Sequence, residues 1–350
     1  MTYGATFVCL LSGKDAMRVL TIDLRGREYQ KFSIDHRIYF GPVDDEEAQR
    51  LDAQHRIFQA LFDDRLIFPP VRQLRRVLDC GHGAASWAVE VADQNPRCEF
   101  IKVIGVDIAP HMSPDDMPEN LWLQVGGKHS IRKMCRRQAG SRIVDDLNRA
   151  FTFPSNHFDL VHSRLLATGI HHTRWPSYVR DIVRCESPKV LTPGGWVQMV
   201  EIYFNVQSDN GSITDSHALR RWSAQYMRAL EDRKDLRIGS RLRGLFVEAG
   251  LEEVDMKMIP LPLSEWSSDA NMRSIGQSNS RNVNELLRSL ALYPMTQRLH
   301  MSKQNFDSLV EEAQQEANDI SLKAYFPIDS QREGIIDMFA LDENRHRNRV

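Results

Sequence analysis

Cysteine is scarce in this 350-residue chain, and its placement argues against two kinds of site. The five cysteines are scattered along the sequence, and no two of them form a C-x-x-C pair. A structural zinc site needs clustered thiolate or imidazole ligands, and a disulfide framework needs paired cysteines in a short secreted chain. We therefore expect reduced thiols, an intracellular and cytoplasmic location, and no metal site.

The chain also lacks a long apolar run and a strong charge of either sign. Its apolar stretches stay well short of the about 18 residues that span a membrane. The short run at residues 5–11 has no basic segment before it, unlike a signal peptide. A net charge of −2 gives no general attraction to nucleic acid or anionic lipid. We predict a soluble globular protein with neither a membrane nor a nucleic acid as its partner.

The most informative segment that is present lies between Val77 and Trp87. A short apolar run ends in Asp79, and Gly81 and Gly83 follow before small residues open an amphipathic helix. A strand, turn and helix of this kind direct backbone N–H groups and a helix N-terminus at a ligand. The acid before the first glycine suits a cofactor with a cationic or amino end better than a pyrophosphate. The segment therefore favours S-adenosylmethionine (SAM) over a dinucleotide.

A dinucleotide site is the main alternative for this turn. The NAD fingerprint G-x-G-x-x-G requires a third glycine where this chain has Ser86. The acid expected about 20 residues further on is matched only loosely by Asp107. A carboxylate at that position also suits the ribose diol of an adenosine. An NAD-dependent oxidoreductase thus conflicts with Ser86 and with Asp79.

Strands and helices alternate through the middle of the chain. Predicted strands at 77–78, 101–107, 158–162 and 196–200 are separated by helices that include 86–93 and 176–185, which indicates an α/β fold. We expect a doubly wound, mostly parallel, seven-stranded-type Rossmann-like sheet with N-terminal and C-terminal helical cap segments. The predicted organisation is a poorly defined segment at 1–35, a core with its N-terminal cap helix at 36–264, a helical cap at 265–328, and a divergent charged tail at 329–350.

In order and spacing, four motifs resemble the class I SAM-dependent methyltransferases, and more narrowly the fungal LaeA-like methyltransferases of secondary metabolism. Asp79-x-Gly81-x-Gly83 resembles the glycine-rich motif, and Asp107 stands at the ribose-binding position. Asp145-Asp146-Leu147 resembles the adenine loop, and residues 191–196 resemble the turn before the fifth strand. The resemblance covers roughly residues 36–328.

The resemblance implies SAM as cofactor and methyl transfer to a small-molecule acceptor in secondary metabolism. It assigns nine residues to the cofactor: Asp79, Gly81, Gly83, Asp107, Ile108, Asp145, Asp146, Leu147 and Ser163. The segment around 39–55 and the helices of 265–325 are expected to cover the acceptor. The alternative is a LaeA-like regulatory protein that acts through protein partners, with a nuclear location and a secondary or degenerate SAM domain.

Catalytic residues are less well defined by the sequence than cofactor residues. A hydroxyl acceptor needs a base, whereas an amine or thiolate needs little help. The candidates at or after the ends of the predicted strands 158–162 and 196–200 are His162, His171 and Glu201. A structural role is the more common one for any single histidine, so no base is assigned.

Several positions depart from the pattern of the family. The third glycine of the usual motif is replaced by Ala85, the basic segment 126–142 looks inserted, and residues 186–188 lengthen the approach to Leu191. The tail beyond Phe326 does not continue as the expected last strand. We hypothesise that intron-derived residues are retained at these joins. Sequencing of the messenger RNA tests this, and a transcript that encodes 126–142 in full contradicts it.

Overall fold

The computed structural model describes residues 20–71, 74–95, 102–109, 112, 114, 116–125, 146–151, 153–183, 190–251 and 254–334. The predictions made for 126–142, for 186–188 and for Asp145 lie outside these residues. In the described part of the chain, no helix has the length and apolar character needed to cross a bilayer.

The N-terminal segment is more regular than the sequence indicated. Strands β1 (Thr21–Leu24) and β2 (Arg27–Gln30) form an antiparallel hairpin, and a short helix α1 (Lys31–Asp35) follows. The predicted cap helix is α2 (Asp45–Leu61). It begins at Asp44, whose carboxylate accepts the backbone N–H of Glu47 at 2.9 Å, a standard N-cap.

A large mixed sheet forms the centre of the molecule. Its strands are β3 (Arg76–Cys80), β4 (Lys102–Asp107), β5 (Leu121–Val125), β6 (Phe158–Arg164), β7 (Leu191–Ile202), β8 (Gln207–Ser208), β9 (Asp255–Pro262) and β10 (Ala324–Gly334). The order is β5-β4-β3-β6-β7-β10-β8, and β9 pairs with β10. Strands β3 to β7 are parallel to their neighbours, whereas β10 runs antiparallel to β7. The predicted mostly parallel sheet is confirmed, with eight strands in its described part.

Helices cover both faces of this sheet, as a doubly wound fold requires. They are α3 (Ser86–Asp93), α4 (Trp175–Val183), α5 (Ala218–Leu230), α6 (Gly239–Ala249), α7 (Ala270–Tyr293) and α8 (Lys303–Asn318). Successive side chains of a strand point to opposite faces. Val77 accordingly packs in one apolar cluster with Trp87 of α3, while Leu78 packs in another with Tyr178 of α4.

The last strand differs from the sequence prediction. A divergent tail was expected from residue 329, but β10 continues to Gly334. It pairs with β7 from Ile328 opposite Ile202 to Gly334 opposite Trp196, and with β9 on its other side. These pairings join segments far apart in the chain, so the local pattern of residues 329–334 did not reveal them.

Candidate functional site

The glycine turn follows β3 and leads into α3. Gly81 and Gly83 have φ of +72° and +55°, in the left-handed region that glycine adopts without steric cost. A side chain at Gly81 would also collide with Leu166. Ala85, which replaces the usual third glycine, has φ of +64° and precedes the first residue of α3. The turn therefore keeps the glycine-type backbone through to the helix start.

Asp107 joins this turn to the end of β4. Its carboxylate accepts the N–H of Gly83 at 2.9 Å through one oxygen and the N–H of Ala109 at 2.8 Å through the other. A carboxylate oxygen has two acceptor directions, so each oxygen keeps one for a further donor. The neighbouring Ile108 also lines the cavity described next.

A cavity of about 160 Å³ lies over the carboxyl ends of β3, β4 and β6. Gly81, Gly83 and Asp107 form part of its wall. The cap helix α2 contributes Arg50, Leu51, Gln54, His55 and Phe58, and α7 contributes Leu286 and Leu290. The two segments that were expected to cover the acceptor thus both face this cavity.

The predicted adenine loop reaches the same cavity through Asp146 and Leu147. One oxygen of Asp146 accepts the backbone N–H of Asn148 at 2.9 Å and its side-chain N–H at 3.0 Å. Asn148 also donates to the carbonyl of Gly169 at 3.1 Å and accepts the N–H of His171 at 2.7 Å. These bonds fix the loop against the segment that follows β6.

Asp79 is placed differently from the other cofactor candidates. Its side chain is buried on the face of the sheet covered by α3 and is not part of the cavity wall. Among the described residues, no donor lies within hydrogen-bond distance of its carboxyl group. Burial raises the pKa of Asp79 to about 7, and the nearby Arg164 opposes that rise. Asp79 therefore lies beneath the cavity wall, and its predicted contact with the cofactor stays a prediction.

Ser163 and His162 lie away from the cavity. Ser163 is fully buried on the α4 face, where its hydroxyl is 3.1 Å from the hydroxyl of Tyr178. His162 points to the opposite face and stacks on Trp87 with ring centroids 3.8 Å apart. Burial lowers its pKa well below the ordinary value, so the imidazole is neutral. Neither side chain is placed to contact a cofactor in this cavity.

The remaining two catalytic candidates make structural contacts. His171 contributes its backbone N–H to Asn148, and its side chain is not part of the cavity wall. Glu201 does line the cavity, and its two oxygens accept the N–H groups of Leu166 and Ala167 at 2.9 and 3.1 Å. Burial raises the pKa of Glu201 to about 8 in spite of these bonds.

The sequence analysis did not identify His55 and Arg164 as a polar pair in the cavity wall. His55 of α2 lies 2.8 Å from Glu90 of α3 through Nε2, while its Nδ1 is 3.3 Å from Arg164 at the end of β6. Arginine can only donate, so Nδ1 accepts and Nε2 carries the proton toward Glu90. Burial and Arg164 lower the pKa of His55. The available signal was that Arg164 lies just after the predicted strand 158–162, where functional side chains collect.

A buried polar network holds the cap helix on α7. Glu47 and Arg50 form an ion pair at 2.6 Å, and both side chains are almost inaccessible. Arg50 also donates to Gln54 at 2.6 Å and to Asn282 at 3.1 Å, while Ser289 donates to Glu47 at 2.5 Å. This network sets the position of α2 above the cavity.

Several fungal proteins are similar to this chain in sequence. The chain is 28% identical to "Secondary metabolism regulator laeA" of Aspergillus niger over 316 residues, which is 89% of this chain and 76% of that protein. It is also 28% identical to "Protein-methionine methyltransferase laeA" of Emericella nidulans, over 86% of this chain and 72% of the relative. "Secondary metabolism regulator LAE1" of Cochliobolus heterostrophus is 25% identical over 79% of this chain and 81% of its own length.

No protein-family model matches the chain. A solved structure with a similar backbone is the cyclopropane synthase MmaA2 of Mycobacterium tuberculosis, with a TM-score of 0.43 and 11% identity over 80% of this chain and 83% of that one. The strand order and the similarity to the fungal proteins confirm both the predicted fold class and the predicted relationship. The chain is similar in sequence to the LaeA-like fungal proteins over most of its length, and its fold is the predicted α/β fold with a mostly parallel, Rossmann-like sheet.

Proposed function

We propose that this protein transfers a methyl group from SAM to a small-molecule acceptor. The observation that carries the proposal is the position of Asp107. Its carboxylate is bound to the N–H of Gly83, and it faces the cavity beside the glycine turn. Such a carboxylate at the end of the second parallel strand is suited to the two hydroxyls of a ribose.

The residues of the cavity fit an adenosyl cofactor. Asp107 keeps acceptor capacity for the ribose, and the glycines let the backbone approach the ligand closely. Leu147 and Asp146 form the wall expected to meet the adenine. SAM supplies a methyl group on a sulfonium, which is transferred by in-line displacement and needs an aligned nucleophile.

The shape and lining of the cavity support a small acceptor. Cap helix α2 and helix α7 both lie over it, and apolar side chains such as Phe58, Phe204 and Leu290 form part of its wall. A concave, mostly apolar space with a few polar groups is typical of sites for small molecules. The cap would also exclude water while the acceptor is held in line.

A protein acceptor is the second candidate, and the relatives favour it. One relative is named a protein-methionine methyltransferase, and others are named regulators of secondary metabolism. The polar groups of the cavity are consistent with an acceptor that needs no base. Both oxygens of Glu201 already accept N–H groups, and Nδ1 of His55 already accepts from Arg164. A thioether, like a neutral amine, has no proton that must first be removed.

Methyl-labelled SAM distinguishes these candidates. The purified protein is incubated with labelled SAM and a fungal extract that ultrafiltration has separated into small molecules and proteins. We expect label in the small-molecule fraction, and an Asp107→Ala variant should transfer much less. Label found only in protein would support the second candidate. No enzyme-dependent label in either fraction would contradict methyl transfer.

A further inference from the structure

The wall of the cavity contains two guanidinium groups in its described part, and they differ in their partners. Arg50 is paired with Glu47 at 2.6 Å. Arg164 has no carboxylate oxygen within 4 Å among the described residues. Its one hydrogen bond there is the 3.3 Å contact with Nδ1 of His55. A guanidinium carries five N–H donors, so most of the donor capacity of Arg164 is unused.

The surroundings of Arg164 hold it in place without neutralising it. Its guanidinium carbon lies 5.4 Å from the centre of the Phe58 ring, a distance that permits a cation–π interaction. Burial lowers the pKa of Arg164 to about 10, and the negative charge of Asp79 acts in the opposite direction. An enclosed cation without a close counter-ion is costly to a folded protein. That cost is recovered when a ligand brings an anion to it.

Strand register puts Arg164 next to the glycine turn. Cys80 of β3 pairs with Ser163 of β6, so Gly81 and Arg164 are the next residues on two neighbouring strands. Asp107 ends β4, which lies on the other side of β3. A ligand whose ribose lies at Asp107 and which crosses the glycine turn therefore ends near Arg164.

We propose that Arg164 is the carboxylate-binding residue of this cavity. The planar guanidinium matches a carboxylate through two parallel N–H···O bonds. His55 orients it through Nδ1, and Phe58 supports one face of the group. The inference rests on the proposed function for the identity of the adenosyl ligand. The pairing of guanidinium with carboxylate does not depend on it.

Two carboxylates could occupy this position. One belongs to the amino-acid end of SAM, and the other would belong to the acceptor. The strand register favours the carboxylate of the cofactor. Arg164 lies beside Gly81 on the neighbouring strand, and the end of SAM that carries the methyl group is expected to pass this glycine.

The test compares S-adenosylhomocysteine with 5′-methylthioadenosine, which has the same adenosine and thioether but no amino-acid end. Calorimetry measures both ligands on the wild-type protein and on Arg164→Met and Arg164→Lys variants. For Arg164→Met we expect about a 10- to 100-fold loss of affinity for S-adenosylhomocysteine, the usual effect of losing hydrogen bonds to a charged group. Affinity for 5′-methylthioadenosine should stay within about twofold. The lysine variant keeps the positive charge but not the planar pair of N–H donors, so its loss of affinity for S-adenosylhomocysteine should be intermediate.

A second arm identifies an acceptor carboxylate. Benzoate is titrated into wild-type protein saturated with S-adenosylhomocysteine, and into the Arg164→Met variant in the same state. Benzoate binding by the wild type alone, with unchanged nucleoside affinities, assigns Arg164 to the acceptor. The exposed Arg281→Met is the control for removal of an arginine, since its side chain is 89% exposed.

Two results would overturn the proposal. One is an equal loss of affinity for both nucleosides in the Arg164→Met and Arg164→Lys variants, which would show that the arginine only supports the cavity. The other is unchanged binding of both nucleosides and of benzoate in the variants. Failure of the wild type to bind either nucleoside would refute the proposed function, and benzoate titrated into the unliganded wild type and Arg164→Met proteins would then decide the role of Arg164.

Discussion

At the scale of single residues, two properties decide which side chains reach the cavity: closeness to the end of the strand and the face to which the side chain points. The sequence predicted a functional residue at the end of the fourth core strand and selected Ser163. In the fold, Ser163 faces Tyr178 and the adjacent Arg164 lines the cavity. Neighbouring residues of a strand point to opposite faces, so a shift of one position exchanges a buried hydroxyl for a guanidinium.

Glu201 gives a pH-dependent prediction at this scale. Its pKa is raised from 4.5 to about 8 in the fold. A raised pKa means that the folded state binds more protons than the unfolded state between these values. The stability that protonated Glu201 contributes is therefore complete below about pH 4.5 and is lost as pH rises to about 8. We expect the free energy of unfolding of the wild type, relative to Glu201→Gln, to fall across this range.

Urea unfolding at several pH values measures this difference. Glu316→Gln is the matched control, because Glu316 also accepts two backbone N–H groups, those of Ala218 and Leu219, at a more accessible place. If the difference in the free energy of unfolding between the wild type and Glu201→Gln stays constant from pH 5 to pH 8, the pKa of Glu201 is not raised in the fold.

At the scale of elements, the position of α2 depends on buried charge rather than on apolar packing alone. The ion pair between Glu47 and Arg50 is accompanied by bonds to Asn282 and Ser289 of α7. The sequence predicted an N-terminal cap helix, and the N-cap residue Asp44 and the spacing of apolar residues in α2 are local signals of this kind. It did not predict the partners on α7, which are more than 200 residues away in the chain.

Removal of one charge from the Glu47–Arg50 pair should lower the free energy of unfolding strongly. Glu47→Gln leaves Arg50 buried without its counter-ion, and we expect a loss of about 3–5 kcal/mol in the free energy of unfolding. Glu312→Gln removes the partner of Arg221 from an exposed ion pair, where a loss of about 0.5 kcal/mol or less is expected. Urea unfolding of both variants at one pH makes the comparison. Equally small losses in the free energy of unfolding of both variants would show that the buried network does not hold helix α2 in place.

At the scale of the whole molecule, the sequence predicted the parallel core well and its antiparallel edge poorly. The glycine turn, Asp107 and the alternating elements are local patterns, and the fold places them as predicted. Strand β10 and the burial of Asp79 depend on contacts between distant segments. The cavity is likewise a product of the fold, because α2, the sheet and α7 come together only in three dimensions.

Calorimetric titration with S-adenosylhomocysteine and NAD tests the central claim, that this cavity binds SAM through the glycine turn and Asp107. We predict saturable one-to-one binding of S-adenosylhomocysteine and none of NAD. An Asp107→Ala variant should bind about 1–3 kcal/mol more weakly, since charge-assisted hydrogen bonds to the ribose are lost. Binding of NAD alone, or equal affinity of the variant and the wild type for S-adenosylhomocysteine, would contradict the account.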